Sequence, residues 1–418
     1  MRNAFRACAM RNAFGACLWV LAAVAVSGLS AQAALPKGAE DYREGWRIFA
    51  TPKAGPDQKV TLESRVTARK AAVPKLEAAV AADPTSLKYR TALVYVLLSA
   101  SEYEKAKTQV DAAIKRERRD PLLYLLRAQA EAALAQMDPA KASNNIGPAI
   151  TALDRAAELD PTNSLPLLQA VSIALDLDRL DLALPRLERA LKLSDCRLYS
   201  LSVPFDLDPR PAVAVNLWQQ IQFTYWFDLL ARCQNAARGV IRLGDQEVKT
   251  GDLEAAESRY QQAREIGRRV GRAKPYLFLT VGTAVDILDP AYQRLAAIAQ
   301  GQADAAGRRA EEAKKAGQDS AAFDQEAARW KHEAEKWNGE RGVLRFGASQ
   351  LQDALGSYRQ QLAGNPPPSI EALTHLEAQW LTSIMAGIGL DPEKVPPGAP
   401  QAPAGKPAAA TPRPAGKS

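Results

Sequence analysis

The stretch Ala72-Val73-Pro74-Lys75-Leu76-Glu77-Ala78-Ala79-Val80-Ala81-Ala82-Asp83-Pro84 states a rule that the rest of the chain repeats. Its Ala72, Leu76, Ala79 and Pro84 return at the same offsets as Ala149, Leu153, Ala156 and Pro161. The first three positions recur as Ala183, Leu187 and Ala190, as Ala106, Val110 and Ala113, and as Ala256, Tyr260 and Ala263. Alanines seven apart lie on one helical face and let a neighbouring helix come close, while the larger residue between them fills the space left over. Asp-Pro at 83–84 and 160–161 then ends the helix. Ala72 and Ala106 stand 34 residues apart, as do Ala149 and Ala183.

An apolar helix precedes each alanine-bearing one, around residues 93–98, 122–134, 167–175 and 240–248. Polar turns join the two, as in Ser101-Glu102-Tyr103 and Gly251-Asp252-Leu253. The pattern resembles the tetratricopeptide repeat (TPR) family, whose unit is a helix–turn–helix of about 34 residues. The resemblance covers about residues 60–194 and 237–270. It departs from the family at an insertion over 137–145 and at Arg90, where an early aromatic is missing. It implies an all-α fold, a right-handed α-solenoid of TPR-like helix–turn–helix repeats with C-terminal helices. It also implies a concave groove, lined by the first helix of each pair, that holds a peptide or another protein. Carried over by that resemblance, the groove positions are Lys88, Thr91 and Tyr95, then Leu165, Leu168 and Ser172, then Arg238, Ile241 and Asp245.

The 418 residues are 47% hydrophobic, 24% charged and 6% aromatic, which favours helices over a β-sandwich or barrel. The mean hydropathy of −0.25 and a single apolar run exclude a multi-span membrane protein. Arg2, Arg6 and Arg11 precede the apolar run 18–26, and Ala31-Gln32-Ala33 follows it. This is the order of a secretory signal peptide, read as residues 1–33, and it points to a periplasmic or extracellular destination. Residues 2–8 recur in part at 11–17, so Met10 also opens a complete signal. The net charge of +7 resides mostly in this leader and in the tail, and no basic stripe marks a nucleic-acid partner.

Residues 34–59 read as an N-terminal linker, 60–195 as TPR-like repeats, 196–236 as a Pro/aromatic-rich junction and 237–271 as a further repeat. Trp218, Ile221, Phe223, Tyr225, Trp226, Phe227, Leu229 and Leu230 crowd the junction, which reads as buried core rather than as an exposed aromatic platform for a hydrophobic partner. Residues 275–390 read as a C-terminal helical region with a break at Asp289-Pro290, a helix end at Gly317 and a final helix over 370–388. Phe323, Trp330 and Trp337 make a seam at sevens, either a hairpin packed on the body or a coiled coil with another chain. The 391–418 tail reads as disordered, since residues 395–418 hold seven prolines and seven alanines.

Past the leader, Cys196 and Cys233 remain. In an oxidising compartment they form one disulfide, worth roughly 3–4 kcal/mol by loop entropy, or else stay two buried thiols; the sequence leaves both open. His332 and His375 are isolated, and no phosphate loop, nucleophile elbow or Cys-x-x-Cys occurs. The acidic pairs Asp176/Asp178 and Glu311/Glu312 suit solvated helices better than acid–base work. Glu63-Ser64 matches the Glu-Ser pair of lytic transglycosylases, but the rest of that family's motifs is missing and the match is rejected. The expectation is a non-enzymatic exported scaffold with a protein or peptide partner and no cofactor or metal; the alternatives are a self-associating, cell-wall-associated envelope spacer and, behind it, an enzyme of unrecognised type.

Overall fold

The computed structural model describes residues 36–51, 61–137, 146–193, 195–204, 206–207, 211–273, 278–362 and 384–385. The leader, the insertion over 138–145, most of the 370–388 helix and the tail lie outside the described residues. Twelve helices run in order: α1 (Ala39–Ala50), α2 (Leu62–Ala82), α3 (Leu87–Ser99), α4 (Tyr103–Arg116), α5 (Pro121–Gln136), α6 (Gly147–Leu159), α7 (Leu165–Asp176), α8 (Leu180–Lys192), α9 (Pro211–Thr250), α10 (Leu253–Gly271), α11 (Phe278–Lys315) and α12 (Ala321–Leu362). Among the described residues the one β-like pairing is an isolated bridge from Asn163 to Asp195. The fold is all-α.

The recurring triplets are buried without exception. Ala72, Leu76, Ala79, Ala106, Val110, Ala113, Ala149, Leu153, Ala156, Ala183, Ala190, Ala256 and Ala263 are fully inaccessible, and Leu187 and Tyr260 nearly so. Each helix from α1 to α7 packs on the next in the chain; α7 also packs on α9, and α9 to α12 again follow in sequence. Close approach is visible where the large residue of a triplet meets a glycine. A methyl on Gly45 would lie 2.7 Å from Leu76 Cγ, and one on Gly244 would lie 2.6 Å from Tyr260 Cε1.

Turns inside the helix pairs share one hydrogen-bond pattern. Glu102 N–H donates to Leu97 O, Arg179 N–H to Ala174 O and Asp252 N–H to Glu247 O, each at 2.9 Å. The residue before each donor is left-handed: Ser101 at φ 64°, Asp178 at φ 54° and Gly251 at φ 85°. This six-residue closure satisfies carbonyls that the helix end leaves open. The α11–α12 turn repeats it, with Gln318 N–H on Ala313 O and Gly317 at φ 69°. At the helix starts, Ser86, Asp120 and Asp252 accept from the amides of Tyr89, Leu122 and Ala255.

Three sequence expectations are corrected, and one of two alternatives is selected. The 34–59 linker contains α1, whose Tyr42, Trp46 and Phe49 are buried at helical spacing. No boundary falls at 236–237: α9 is one helix of 40 residues, because its buried positions continue at spacings of three and four with no breaker before Gly251. Pro290 does not break α11, which runs on to Lys315; Ala291 and Tyr292 are buried beyond it and hold the helix in place. The 323–337 seam serves this chain's own hairpin, with Trp337 buried and stacked on Tyr292 at 6.0 Å.

Candidate functional site

The face formed by the first helices of the early pairs is covered by the chain itself. Packing of α9 on both α7 and α1 brings Tyr225 against Tyr95, ring centroids 5.3 Å apart. An extended segment, 195–204, runs beside it. Ser164 N–H donates to Asp195 O at 2.9 Å, and Arg197 N–H to Asn163 Oδ1 at 2.8 Å, pinning the segment to the turn before α7. Tyr42 of α1 donates its hydroxyl to Ser202 O at the other end.

This explains where the positions assigned by resemblance fall. Thr91, Tyr95, Leu165, Leu168, Ser172 and Ile241 are buried and face packed helices rather than solvent. Lys88 is exposed but holds its ammonium 4.9 Å over the Tyr42 ring. Asp245 accepts from Tyr260 Oη and Arg294 Nε, each at 2.7 Å, and is part of the scaffold. Arg238 alone of the nine lies open without such a bond. Cys196 and Cys233 are buried free thiols.

What stays open is one stripe of α9. Asp228, Arg232, Asn235, Arg238 and Arg242 follow one another at spacings of four and three, so they share a face. Where the stripe passes the end of α7, Gly239 lets the helices close in: a methyl there would meet Leu175 Cδ1 at 2.7 Å. The result is a cleft of about 360 Å³ lined by Asp176, Asp178 and Leu180 on one side and Gly239, Arg242 and Gln246 on the other.

Charges along the stripe and at the end of α7 sense one another without closing a direct pair. Burial raises the Asp228 carboxyl against the opposing pull of Arg69 and Arg232. Burial likewise raises Asp176 against Arg242 and Arg232, and it lowers Arg232 against Asp228 and Asp176. Asp228 keeps solvent access, as does Arg242. Neither those two, nor Arg232, nor Asp176 makes a hydrogen bond or ion pair to another described residue. Such groups, within reach of opposite charges but without direct hydrogen bonds to them, gain from a partner that supplies those bonds. At the stripe's other end Phe227 is 40% exposed and stacks on Phe223.

The stripe was missed in the sequence because it interrupts a run of apolar residues on only one face; the polar residues at 228, 232, 235, 238 and 242, at helical spacing, were the available signal. Among the described residues no group of three His, Cys, Asp or Glu side chains is placed to hold a metal. No helix among them is long and apolar enough to cross a membrane. No protein-family model matches the chain, and no curated protein is similar to it.

Proposed function

We propose that this chain is an exported, non-enzymatic adaptor of TPR-like repeats, its helix pairs stacked as a right-handed solenoid, that holds an extended segment of another protein in the cleft between α7 and α9. The repeated turn closures and the buried alanine triplets support the repeat reading, and the leader-like start of the sequence supports export. One observation carries the binding reading: Asp176 and Arg242 line the cleft, Asp228 and Arg232 continue the same polar face of α9, and none of the four closes a direct ion pair with another described residue. Charged side chains left without such pairs offer a surface for complementary charge.

The test is charge reversal. Arg242→Glu and Arg238→Glu should weaken capture of an envelope protein at least tenfold while leaving the helical circular dichroism unchanged. Equal capture by wild type and both variants would remove the cleft from the account.

A second reading, a self-associating spacer, draws on α12. There Val343 and Phe346, one turn apart, are 49% and 65% exposed. Light scattering on wild type and Phe346→Glu decides it: a homo-oligomer lost on substitution supports the spacer.

A further inference from the structure

Two hydrogen bonds set the register of the extended 195–204 segment along α9. Trp226 Nε1 donates to Tyr199 O at 2.9 Å. Leu201 N–H donates to Gln222 Oε1 at 3.1 Å, and Gln222 Nε2 returns a bond to Leu201 O. The segment therefore runs antiparallel to the helix: a step forward of two residues along it matches a step back of four along α9. Two extended residues advance about 6.6 Å and four helical residues about 6 Å, so the register is self-consistent.

Carried the other way, the same register reaches the two cysteines together. Cys196 lies three extended residues before Tyr199, about 10 Å, and Cys233 lies seven helical residues after Trp226, about 10.5 Å. Positions 222, 226 and 233 share one face of α9, the face the segment covers. Along the segment, Cys196, Leu198, Leu201, Val203 and Pro204 are the buried positions, so the Cys196 side chain points inward. Both cysteines are buried, Cys233 completely. Burial raises the Cys233 thiol, and the nearby Cys196 raises it further.

We infer that Cys196 and Cys233 are the two halves of a disulfide that staples the segment to α9 once a thiol–disulfide oxidant is present. In the first step one cysteine thiolate attacks a sulfur of the oxidant disulfide, forming a mixed disulfide and expelling one oxidant thiolate. The second cysteine then attacks the protein sulfur, closing the bond and expelling the other. The chain loses two electrons and two protons, and the oxidant leaves as two thiols. Burial pushes the Cys196 thiol up to about 12, so little thiolate exists in the closed fold. Closure therefore takes place while the segment is still undocked, and the finished bond is shielded from reductant.

The staple fixes the segment that joins α1, the turn before α7, and α9. The inference does not depend on the proposed adaptor role, and its outcome leaves that role to be judged by its own test.

The full-length chain is to be refolded from guanidinium with a mixture of oxidised and reduced glutathione, alkylated, and mapped by peptide mass spectrometry. The expected result is a peptide pair linked through Cys196 and Cys233 in most molecules, and a melting temperature about 5 °C or more above that of the same protein refolded in dithiothreitol. A fully helical product with both cysteines alkylated, or each capped separately by glutathione, overturns the inference. Cys233→Ala provides a check that does not rely on the melting shift: Cys196 should then appear only as free thiol or glutathione adduct, and any other linked pair involving Cys196 counts against it.

Discussion

Tyr95 of α3 and Tyr225 of α9 meet edge to face, their planes 79° apart, and both hydroxyls are buried without a hydrogen-bond partner. The rings therefore contribute through area and packing geometry, while the hydroxyls oppose folding. Tyr225→Phe should be neutral or stabilising by up to about 1 kcal/mol. Tyr225→Ala should cost about 3–5 kcal/mol, since it opens a cavity at the contact that joins the early repeats to α9. Urea denaturation of both variants provides the comparison; equal losses would mean that the hydroxyl is satisfied in solution.

The shared turn makes a second prediction. Ser101 and Asp178 adopt the left-handed conformation that Gly251 adopts at the equivalent place, and a side chain there is strained. Ser101→Gly and Asp178→Gly should each stabilise the protein by roughly 1 kcal/mol, and Gly251→Ala should destabilise it by a similar amount. Thermal melts check the signs, and the reverse order would break the equivalence of the three turns.

Close packing at Gly244 gives a third. Its neighbour is the rigid ring of Tyr260, so Gly244→Ala forces helix or ring to move and should cost about 1–3 kcal/mol. The double variant with Tyr260→Leu should cost less than the two single changes added together. Strict additivity would show that the helices are not in contact there.

Acid sensitivity follows from two groups of opposite sign. Asp245 is raised by burial, but the bonds from Arg294 and Tyr260 outweigh that and leave its carboxyl below the ordinary value. Its contribution is present at neutral pH and is lost as pH falls through the lowered value. Asp228 is raised by burial, so it binds its proton more readily in the fold and opposes stability above the ordinary carboxylate range. Asp245→Asn should flatten the stability profile below about pH 4, and Asp228→Asn should raise stability mainly above that point. Denaturant midpoints from pH 2 to pH 7 separate the two.

Much of the packing was legible because it is local. An alanine at i and i+7 with a large residue between records how close the next helix comes, and every such triplet from Ala72 to Ala263 is buried. Helix α1 was readable, since Tyr42, Trp46 and Phe49 stand at helical spacing, but it lies before the first alanine triplet and so outside the repeat pattern that guided the reading. The groove was different. Whether Tyr95 or Leu168 faces solvent depends on where α9 docks, and that contact joins residues far apart in the chain. The resemblance supplied an open face; the aromatic run 218–230 closes it, leaving the cleft that Asp176, Asp178 and Arg242 line.

The binding reading is tested most directly by a photoreactive amino acid placed at Arg238, with crosslinking in the intact cell and mass spectrometry of the products. The account predicts a crosslink to one short segment of a different protein, lost when Arg242→Glu is added. Crosslinks confined to this chain, or an unchanged product with Arg242→Glu, would contradict it.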